Sequence, residues 1–263
     1  MRTLLINTSP KKWKRLSNSN YLLTLAALPV KGTKVKMDYM GAKDIPLLKR
    51  ELLQIDALVL AMPVYVDAVP SHVLELMQII EAFAKENHLK FRVYAICNCG
   101  FYEGIHCETE MNIIRNFCAR AGLEYSGGGG VGGGEMFGFI RFNPLLGLII
   151  TVIEFVIRFG LELAKGNVTG TAALHCIDYY TLPICVLVTA FFSILPYMAM
   201  YRLGKSISGQ NFHGDRFTSL SFRGGSPVFI LFASLYWILR ALFQNCIFVW
   251  TLFRRRINTG KSK

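Results

Sequence analysis

Residues 2–28, RTLLINTSPKKWKRLSNSNYLLTLAAL, decide the fold of this chain. They predict a short apolar strand at 2–7, a polar turn with clustered positive charge, and a helix from Asn20. In such a turn the backbone N–H groups at the helix start face an anion, and Ser and Asn side chains add donors. The stretch therefore predicts a site for a nucleotide or a phosphorylated cofactor, with an ordinary polar turn as the alternative.

Strand and helix patterns continue to alternate up to about residue 130. Further strands are predicted at 34–39, 57–61, 91–97 and 123–127, and helices at 20–28, 46–54, 71–84 and 108–121. The helices have one apolar face, and the strands at 57–61 and 93–97 are almost wholly apolar, as in a sheet covered on both sides. The pattern predicts an α/β, doubly wound, five-stranded parallel sheet, with its ligand beyond the carboxyl ends of the strands.

The charge of the chain is unevenly distributed. Of the 263 residues, 52% are hydrophobic and 17% are charged, with a formal net charge of +12. Residues 1–165 carry a net charge of +4 and residues 166–263 one of +8. Because the basic part is also the most apolar part, its composition favours a membrane surface over nucleic acid. The seven cysteines are an odd number in mostly apolar contexts, which is typical of reduced thiols facing the cytosol.

The sequence predicts two domains, 1–165 and 166–263. The helix at 143–165 is interpreted as the last helix of the sheet domain, and a membrane helix is the competing interpretation. The second domain is a basic, apolar helical tail with candidate membrane segments at about 179–201 and 226–253. Arg254, Arg255 and Arg256 then favour a cytosolic C-terminus, and a tail lying in the membrane interface is the alternative.

Three loops carry the candidate chemistry. The first lacks both G-x-x-x-x-G-K-[ST] and G-x-G-x-x-G, so its Ser and Asn residues favour a monophosphate such as that of FMN. The second, MPVYVDAVPSH at 62–72, is stiffened by two prolines, and its Tyr ring could lie against a flat heteroaromatic system. The third, CNCGFYEG at 97–104, has glycines that admit a close ligand. Its C-x-C pair is not accompanied by a second C-x-x-C or a His pair that would complete a ligand set, so no metal site is predicted.

Together, these loops resemble the flavodoxin-like NAD(P)H-dependent FMN oxidoreductases. The resemblance covers residues 1–165 and is carried by LLINTSPKK…SNSNYLL, IDALVLAMPVYVDAVPSHVLELM and RVYAICNCGFYEGIHCETEMNIIRNFCARAGLEYSGGGGVGGGEM. It implies a phosphate bound at Ser9, Ser17, Asn18 and Ser19. It also implies an isoalloxazine ring between two groups of residues: Pro63, Val64, Tyr65 and Val66 on one side, and Asn98, Cys99, Gly100 and Phe101 on the other. The C-terminal extension resembles no family.

The leading hypothesis is an FMN-dependent oxidoreductase attached to the cytoplasmic membrane, with its N-terminal domain and C-terminus in the cytosol. It would pass electrons from NADH or NADPH to a small acceptor such as a quinone, free flavin or a metal species. The flavin carries the chemistry, so no catalytic side chain is predicted. The resemblance also implies a homodimer. The alternatives are a non-enzymatic FMN-binding electron carrier or membrane sensor, and a nucleotide-binding scaffold.

Overall fold

A computed structural model describes residues 1–11, 16–65, 68–166, 169–209 and 214–220, together with isolated helical residues between 227 and 246. The chain divides into two compact units, Met1–Leu220 and Ser221–Lys263. The described residues of the second unit are helical, and Leu231, Leu235, Ile238 and Leu242 among them are exposed. Most of the predicted segment at 226–253 lies outside the described residues.

The first unit is built on a parallel sheet whose strands follow the order β2-β1-β3-β4-β5-β6. The strands are β1 (Arg2–Asn7), β2 (Thr33–Asp38), β3 (Ala57–Pro63), β4 (Arg92–Asn98), β5 (Glu124–Val131) and β6 (Arg216–Thr218). The order 2-1-3-4-5 of the first five is that of the flavodoxin-like fold, with its topological switch point between β1 and β3. The predicted fold class is therefore confirmed, although the sheet has six strands where five were predicted.

Helices cover both faces of this sheet. The α-helices of this unit are α1 (Asn18–Ala27), α2 (Ile45–Leu52), α3 (Ser71–Glu86), α4 (Glu108–Ala121), α5 (Gly134–Ile140), α6 (Asn143–Ala164), α7 (Gly170–His175) and α8 (Thr181–Ile207). Of these, α6 and α7 pack on other helices. The main core packs residues such as Leu58, Leu60 and Val93 against α2, α3 and α4. All seven residues of β3 are buried, which explains why this strand is apolar without alternation.

The opposite face of the sheet is covered by α1 and by the second part of α8. Tyr94 donates a hydrogen bond from its hydroxyl to the Ser206 carbonyl (3.3 Å), and Met200 lies over Gly129 of β5. At Gly204, a Cβ would collide with the Ala26 carbonyl and with Pro29, so only glycine lets α8 approach α1 this closely. The helix at 143–165, interpreted from the sequence as the last helix of the sheet domain, belongs to the first unit but packs on α7 and α8, because α8 occupies the place beside α1.

The first unit also extends beyond the predicted domain boundary at residue 165. It runs to Leu220 because β6 pairs in parallel with Gly129, Gly130 and Val131 of β5. Asp215, directly before β6, forms an ion pair with Arg115 and accepts a hydrogen bond from Tyr125. The residues after 165 therefore complete the sheet as well as forming an apolar extension.

Two helices are long and apolar enough to cross a membrane by length and composition: Asn143–Ala164 and Thr181–Ile207, each with a mean hydropathy of 2.0. The second overlaps the segment predicted at 179–201, and the first corresponds to the competing interpretation of 143–165. A soluble core helix can pass the same test of length and composition. The two helices differ in burial, since α8 is partly packed on the sheet and α6 is exposed along most of its length.

Candidate functional site

The three predicted loops meet at the carboxyl edge of β1, β3 and β4. The Thr8 amide after β1 donates to the Ala61 carbonyl (2.9 Å), and the Val64 amide after β3 donates to the Asn98 carbonyl (2.8 Å). His72 at the start of α3 bonds through Nε2 to the Thr8 carbonyl (2.7 Å). A carbonyl oxygen only accepts, so Nε2 carries the proton in this contact. The Val64–Asn98 and His72–Thr8 contacts link one loop to another, and the Thr8–Ala61 contact continues the β1–β3 ladder at the switch point of the sheet, where ligands bind in this fold.

The first loop is buried at Thr8 and Ser9 and again at 17–19, whereas Pro10, Lys11 and Leu16 are exposed; residues 12–15 lie outside the described residues. Ser17 is the N-cap of α1, and its Oγ accepts from the Asn20 amide (3.1 Å). The Ser9 amide donates to Oδ1 of Asn7 (3.3 Å). The side-chain amide of Asn98 donates to Oγ of Ser19 (3.5 Å). Of the predicted phosphate residues, Ser17, Asn18 and Ser19 therefore lie together at the start of α1, with their side chains partly engaged by the chain itself, and Ser9 lies just beyond the end of β1.

Helix α5 lies over this cradle, defined as the turn of Ser17, Asn18 and Ser19. The side-chain amide of Asn18 donates to the Gly134 carbonyl, and a Cβ at Gly138 would lie 3.0 Å from Oδ1 of Asn18. Phe137 is fully buried, with its ring centroid 5.8 Å from that of Tyr21. The sequence predicted only a glycine-rich loop at the ligand edge here. The short helix forms because the glycine run ends at Gly134, and the segment MFGFI at 136–140 then buries Met136, Phe137 and Ile140.

Arg141, directly after α5, is the functional candidate that the sequence reasoning missed. Its guanidinium donates to the carbonyls of Leu16 and Ser17 and lies 4.9 Å from the centre of the Tyr21 ring. Its buried Nε has no hydrogen-bond partner within the part of the chain that the structure describes. Burial lowers the pKa of Arg141 from its ordinary value. A lone arginine just before an apolar helix was the available signal, but only the fold brings it to the cradle.

The second loop presents one exposed ring. Pro63 and Val64 are buried, whereas Tyr65 is 46% exposed. The backbone amides and carbonyls of Tyr65 and Ala68 pair with each other (3.3 and 3.2 Å), which closes a tight turn. Val66 lies outside the described residues. This turn holds the Tyr65 ring at the carboxyl edge of β3.

The third loop turns its thiol inward and its aromatic ring outward. Asn98 and Cys99 are buried, while Gly100 is exposed and Phe101 is 53% exposed, with its ring centroid 4.6 Å from that of His106. The sulfur of Cys99 lies 3.6 Å from the carbonyl oxygen of Glu103. A flat ring at this edge would therefore meet the exposed surface of Gly100 and Phe101 rather than the thiol of Cys99.

Several buried thiols stand behind the third loop. A hydrogen bond from Cys107 holds the pKa of Cys99 below its ordinary value, and the same bond, with burial, raises the pKa of Cys107. Burial raises the pKa of Cys97, and the buried carboxylate of Glu110 acts in the same direction. Among the described residues, no three His, Cys, Asp or Glu side chains converge as a metal site.

A separate cleft of about 800 Å³ lies at the opposite edge of the sheet, lined by residues that include Asp56, Lys90, Arg92 and Glu124. These residues stand at or next to the amino ends of β3, β4 and β5. Because ligands of open α/β sheets bind outside the carboxyl ends of the strands, the three-loop edge is the better candidate despite the size of this cleft.

Several solved structures are similar to this chain. The chain is similar to the Trp repressor binding protein from Bacillus subtilis, at 14% identity and a TM-score of 0.41, covering 51% of this chain and 85% of that one. It is also similar to an NADPH-quinone reductase from P. pentosaceus, at 18% identity and a TM-score of 0.39, covering 48% and 81%. An apo NADH:FMN oxidoreductase (EMOB) matches at 10% identity and a TM-score of 0.44, covering 80% and 91%.

The fold is flavodoxin-like. The strand order carries this assignment, and it agrees with the resemblance predicted from the sequence. No family model matches the chain, and no curated protein matches it.

Proposed function

We propose that this flavodoxin-like protein is an FMN-dependent oxidoreductase that passes electrons from NADH or NADPH to a small acceptor. The observation that carries the proposal is the junction of the three loops at the switch point, through the Thr8–Ala61, Val64–Asn98 and His72–Thr8 contacts. A quinone, free flavin or a metal species would serve as acceptor. Bound FMN supplies a ring that takes up a hydride and releases its electrons singly or in pairs.

The chain offers positive charge and donors for the phosphate. The first-turn amides of α1 point out of the helix at its positive end, and the Arg141 guanidinium adds a full charge at the same turn. Against this, Asn18 is bonded to α5, which lies over the cradle. The proposal therefore includes a shift of α5 away from Ser17, Asn18 and Ser19 when the phosphate binds, exchanging the Asn18–Gly134 bond for bonds to the anion.

The ring would lie at the exposed part of the edge. Tyr65 and Phe101 each expose about half of their surface, and Gly100, directly before Phe101, leaves the backbone accessible. Aromatic side chains exposed in this way stack on flat heteroaromatic ligands. They would also suit the proposed homodimer, in which a second copy closes the ring site.

Membrane attachment belongs to the same proposal. The apolar helices α6 and α8 would attach the protein to the cytoplasmic membrane, with the sheet domain and the C-terminus in the cytosol. The exposed apolar side chains of α6 support this attachment, because water solvates such a surface poorly.

Flavin absorbance tests the proposal. The full chain, purified in detergent and incubated with FMN, is expected to hold the flavin after gel filtration and to be bleached by NADH or NADPH under anaerobic conditions. The variant Phe101→Ala should weaken FMN binding, whereas Leu74→Ala, at an exposed position on α3, should leave it unchanged. A chain that retains no FMN overturns the proposal. FMN retention without oxidation of either nicotinamide would instead assign an electron carrier or membrane sensor.

A further inference from the structure

Helix α6 and the first part of α8 form a large exposed apolar surface, called here the apolar hairpin and defined as residues 143–164 and 181–191. The two segments run antiparallel, with the Asn143 side chain donating to the Cys185 carbonyl (3.2 Å) and Thr189 donating to the Ile140 carbonyl (3.1 Å). Many apolar side chains on it are at least 40% exposed: Leu145, Leu146, Leu148, Ile149, Val152, Ile153, Val156, Ile157, Leu161, Leu163, Ile184, Val186, Leu187 and Phe191.

The exposed apolar side chains of α6 cover more than half of its circumference. Ile149 and Ile150 are neighbours in sequence that point about 100° apart, as do Val152 and Ile153, and all four are exposed. A protein partner docked on one side would cover one stripe of such a helix, whereas lipid surrounds it. So wide an apolar face, beside one polar stripe that carries Glu154, Arg158 and Glu162, is typical of a helix that meets a protein core or a membrane, and α6 is not in the core.

Helix α8 changes its surroundings along its length. Ile184 and Leu187 in its first part are 56% and 68% exposed, whereas Met200, Leu203 and Ile207 in its second part are at most 4% exposed. The second part packs on α1 and β5 of the sheet domain. Because these contacts hold residues 196–207 on the sheet, α8 does not lie in lipid over its whole length while the domain is folded.

The charges on the apolar hairpin are paired, which lowers the free-energy cost of placing them near lipid. Arg158 forms an ion pair with Glu154 (3.2 Å), and Lys165 forms one with Glu162 (2.8 Å). These residues recur every three or four positions, so they share one stripe of the helix. The 22 residues of α6 measure about 33 Å, comparable to the hydrocarbon thickness of a bilayer.

We infer that the acyl chains of a lipid bilayer are the partner of the apolar hairpin, and that residues 196–207 of α8 stay outside the lipid on the sheet. The inference deepens the proposed membrane attachment and rests on it, but it does not depend on flavin binding. It replaces a spanning segment at 179–201 by a hairpin that enters the bilayer only with α6 and the start of α8.

Lipid photolabelling of the unmodified full chain tests this inference. The chain is reconstituted into phosphatidylcholine vesicles that contain a phosphatidylcholine with a diazirine in the middle of one acyl chain. After irradiation and digestion, mass spectrometry locates the labelled peptides. Label is expected in residues 145–163 and 182–191, and at least about tenfold less label in residues 196–207. The double variant Val152→Asp/Val156→Asp should lose the α6 label, and the control Leu53→Asp/Leu74→Asp, on exposed leucines of the sheet domain, should keep it.

Four results would overturn the inference. Label in 196–207 as strong as in 182–191 would mean that α8 crosses the bilayer. Label confined to 221–263 would keep membrane attachment but assign it to the other unit. No label on a discrete dimer would mean that a second copy covers the hairpin, and no label on a monomer would remove the membrane as partner. Since labelling needs no FMN, failure of the flavin proposal gives a separate result.

Discussion

At the scale of single residues, an ion pair that joins a strand to a helix makes the free energy of unfolding depend on pH. Glu51 on α2 is 5% exposed and pairs with Arg2 of β1 (2.5 Å) and with Arg50 (3.3 Å). The hydrogen bond from Arg2, opposed by burial and assisted by Arg50, holds the pKa of Glu51 below its ordinary value. A depressed carboxyl pKa stabilises the folded state above the unfolded pKa, and that contribution is lost as the pH falls through the folded value.

The variant Glu51→Gln is therefore expected to lower the free energy of unfolding by about 1 kcal/mol at pH 7, because it removes the charge that Arg2 pairs with. The difference from wild type should shrink as the pH falls below about 4, where the unfolded carboxyl is already protonated. Urea unfolding of both proteins at several pH values measures this difference in the free energy of unfolding. The exposed Glu86→Gln serves as control, and an equal loss at every pH would contradict the electrostatic account.

Arg141 is the residue on which the phosphate proposal can be tested most directly. Arg141→Ala removes the charge and the two contacts to the Leu16 and Ser17 carbonyls, so FMN affinity should fall roughly tenfold. Arg141→Lys keeps the charge without the forked geometry of the guanidinium, so its FMN affinity should lie between those of wild type and Arg141→Ala. Fluorescence titration with FMN gives the affinities, and circular dichroism verifies the fold of each variant. Wild-type affinity in Arg141→Ala would remove this residue from the site.

At the scale of elements, the close packing of α1 on α8 explains why the apolar extension belongs to the sheet domain. Gly204 allows the contact with Ala26 and Pro29, and Ser208 beyond the end of α8 donates to the Pro29 carbonyl (3.1 Å). Tyr21 of α1 and Tyr197 of α8 are joined through their hydroxyls (2.9 Å). The two helices therefore cover one face of the sheet as a pair.

Gly204→Ala should destabilise the first unit by about 1–3 kcal/mol, because the new Cβ forces α8 away from the Ala26 carbonyl. Gly160→Ala is the matched control, since a Cβ there meets nothing within 4 Å and alanine favours the helix by up to about 1 kcal/mol. Thermal unfolding followed by circular dichroism in the same detergent compares them. Equal melting temperatures for the two variants would contradict the packing described here.

At the scale of the whole molecule, the candidate site and the apolar hairpin are neighbours in the chain. Arg141, which touches the turn before α1, is two residues from the start of α6. Contact of α6 with lipid would therefore place the three-loop edge near the membrane surface. That position would favour an acceptor dissolved in the bilayer among those proposed.

The kind of attachment determines how the protein leaves membranes. Because the proposed contact is apolar rather than electrostatic, the chain should stay in the membrane fraction through both high-salt and carbonate washes and be released by detergent. Immunoblotting of the washed fractions measures this. Release by salt alone would indicate a surface attachment through the basic residues, contrary to the apolar contact.

The strands, most of the helices and the three loops could be predicted because their information is local. Apolar runs at 57–61 and 93–97 and amphipathic faces in α3 and α4 follow from burial, and parallel order then places the strand ends at one edge. Alternation of strands and helices could not predict β6, whose three residues lie far from β5 in sequence. The cover formed by α5 and Arg141 was missed for the same reason, since it depends on contacts across more than 100 residues.

The sequence by itself determined the alternation of strands and helices and the presence of apolar helices after residue 142, because hydrophobic periodicity records which faces avoid water; the flavodoxin-like assignment came from the resemblance of the three loops. Only the tertiary structure decided which apolar helix lies on the sheet and which stays exposed. Composition is similar for α6 and α8, each with a mean hydropathy of 2.0. What separates them is steric fit: Gly204 and the glycines of β5 leave room for the second part of α8, and that place is then no longer open to α6.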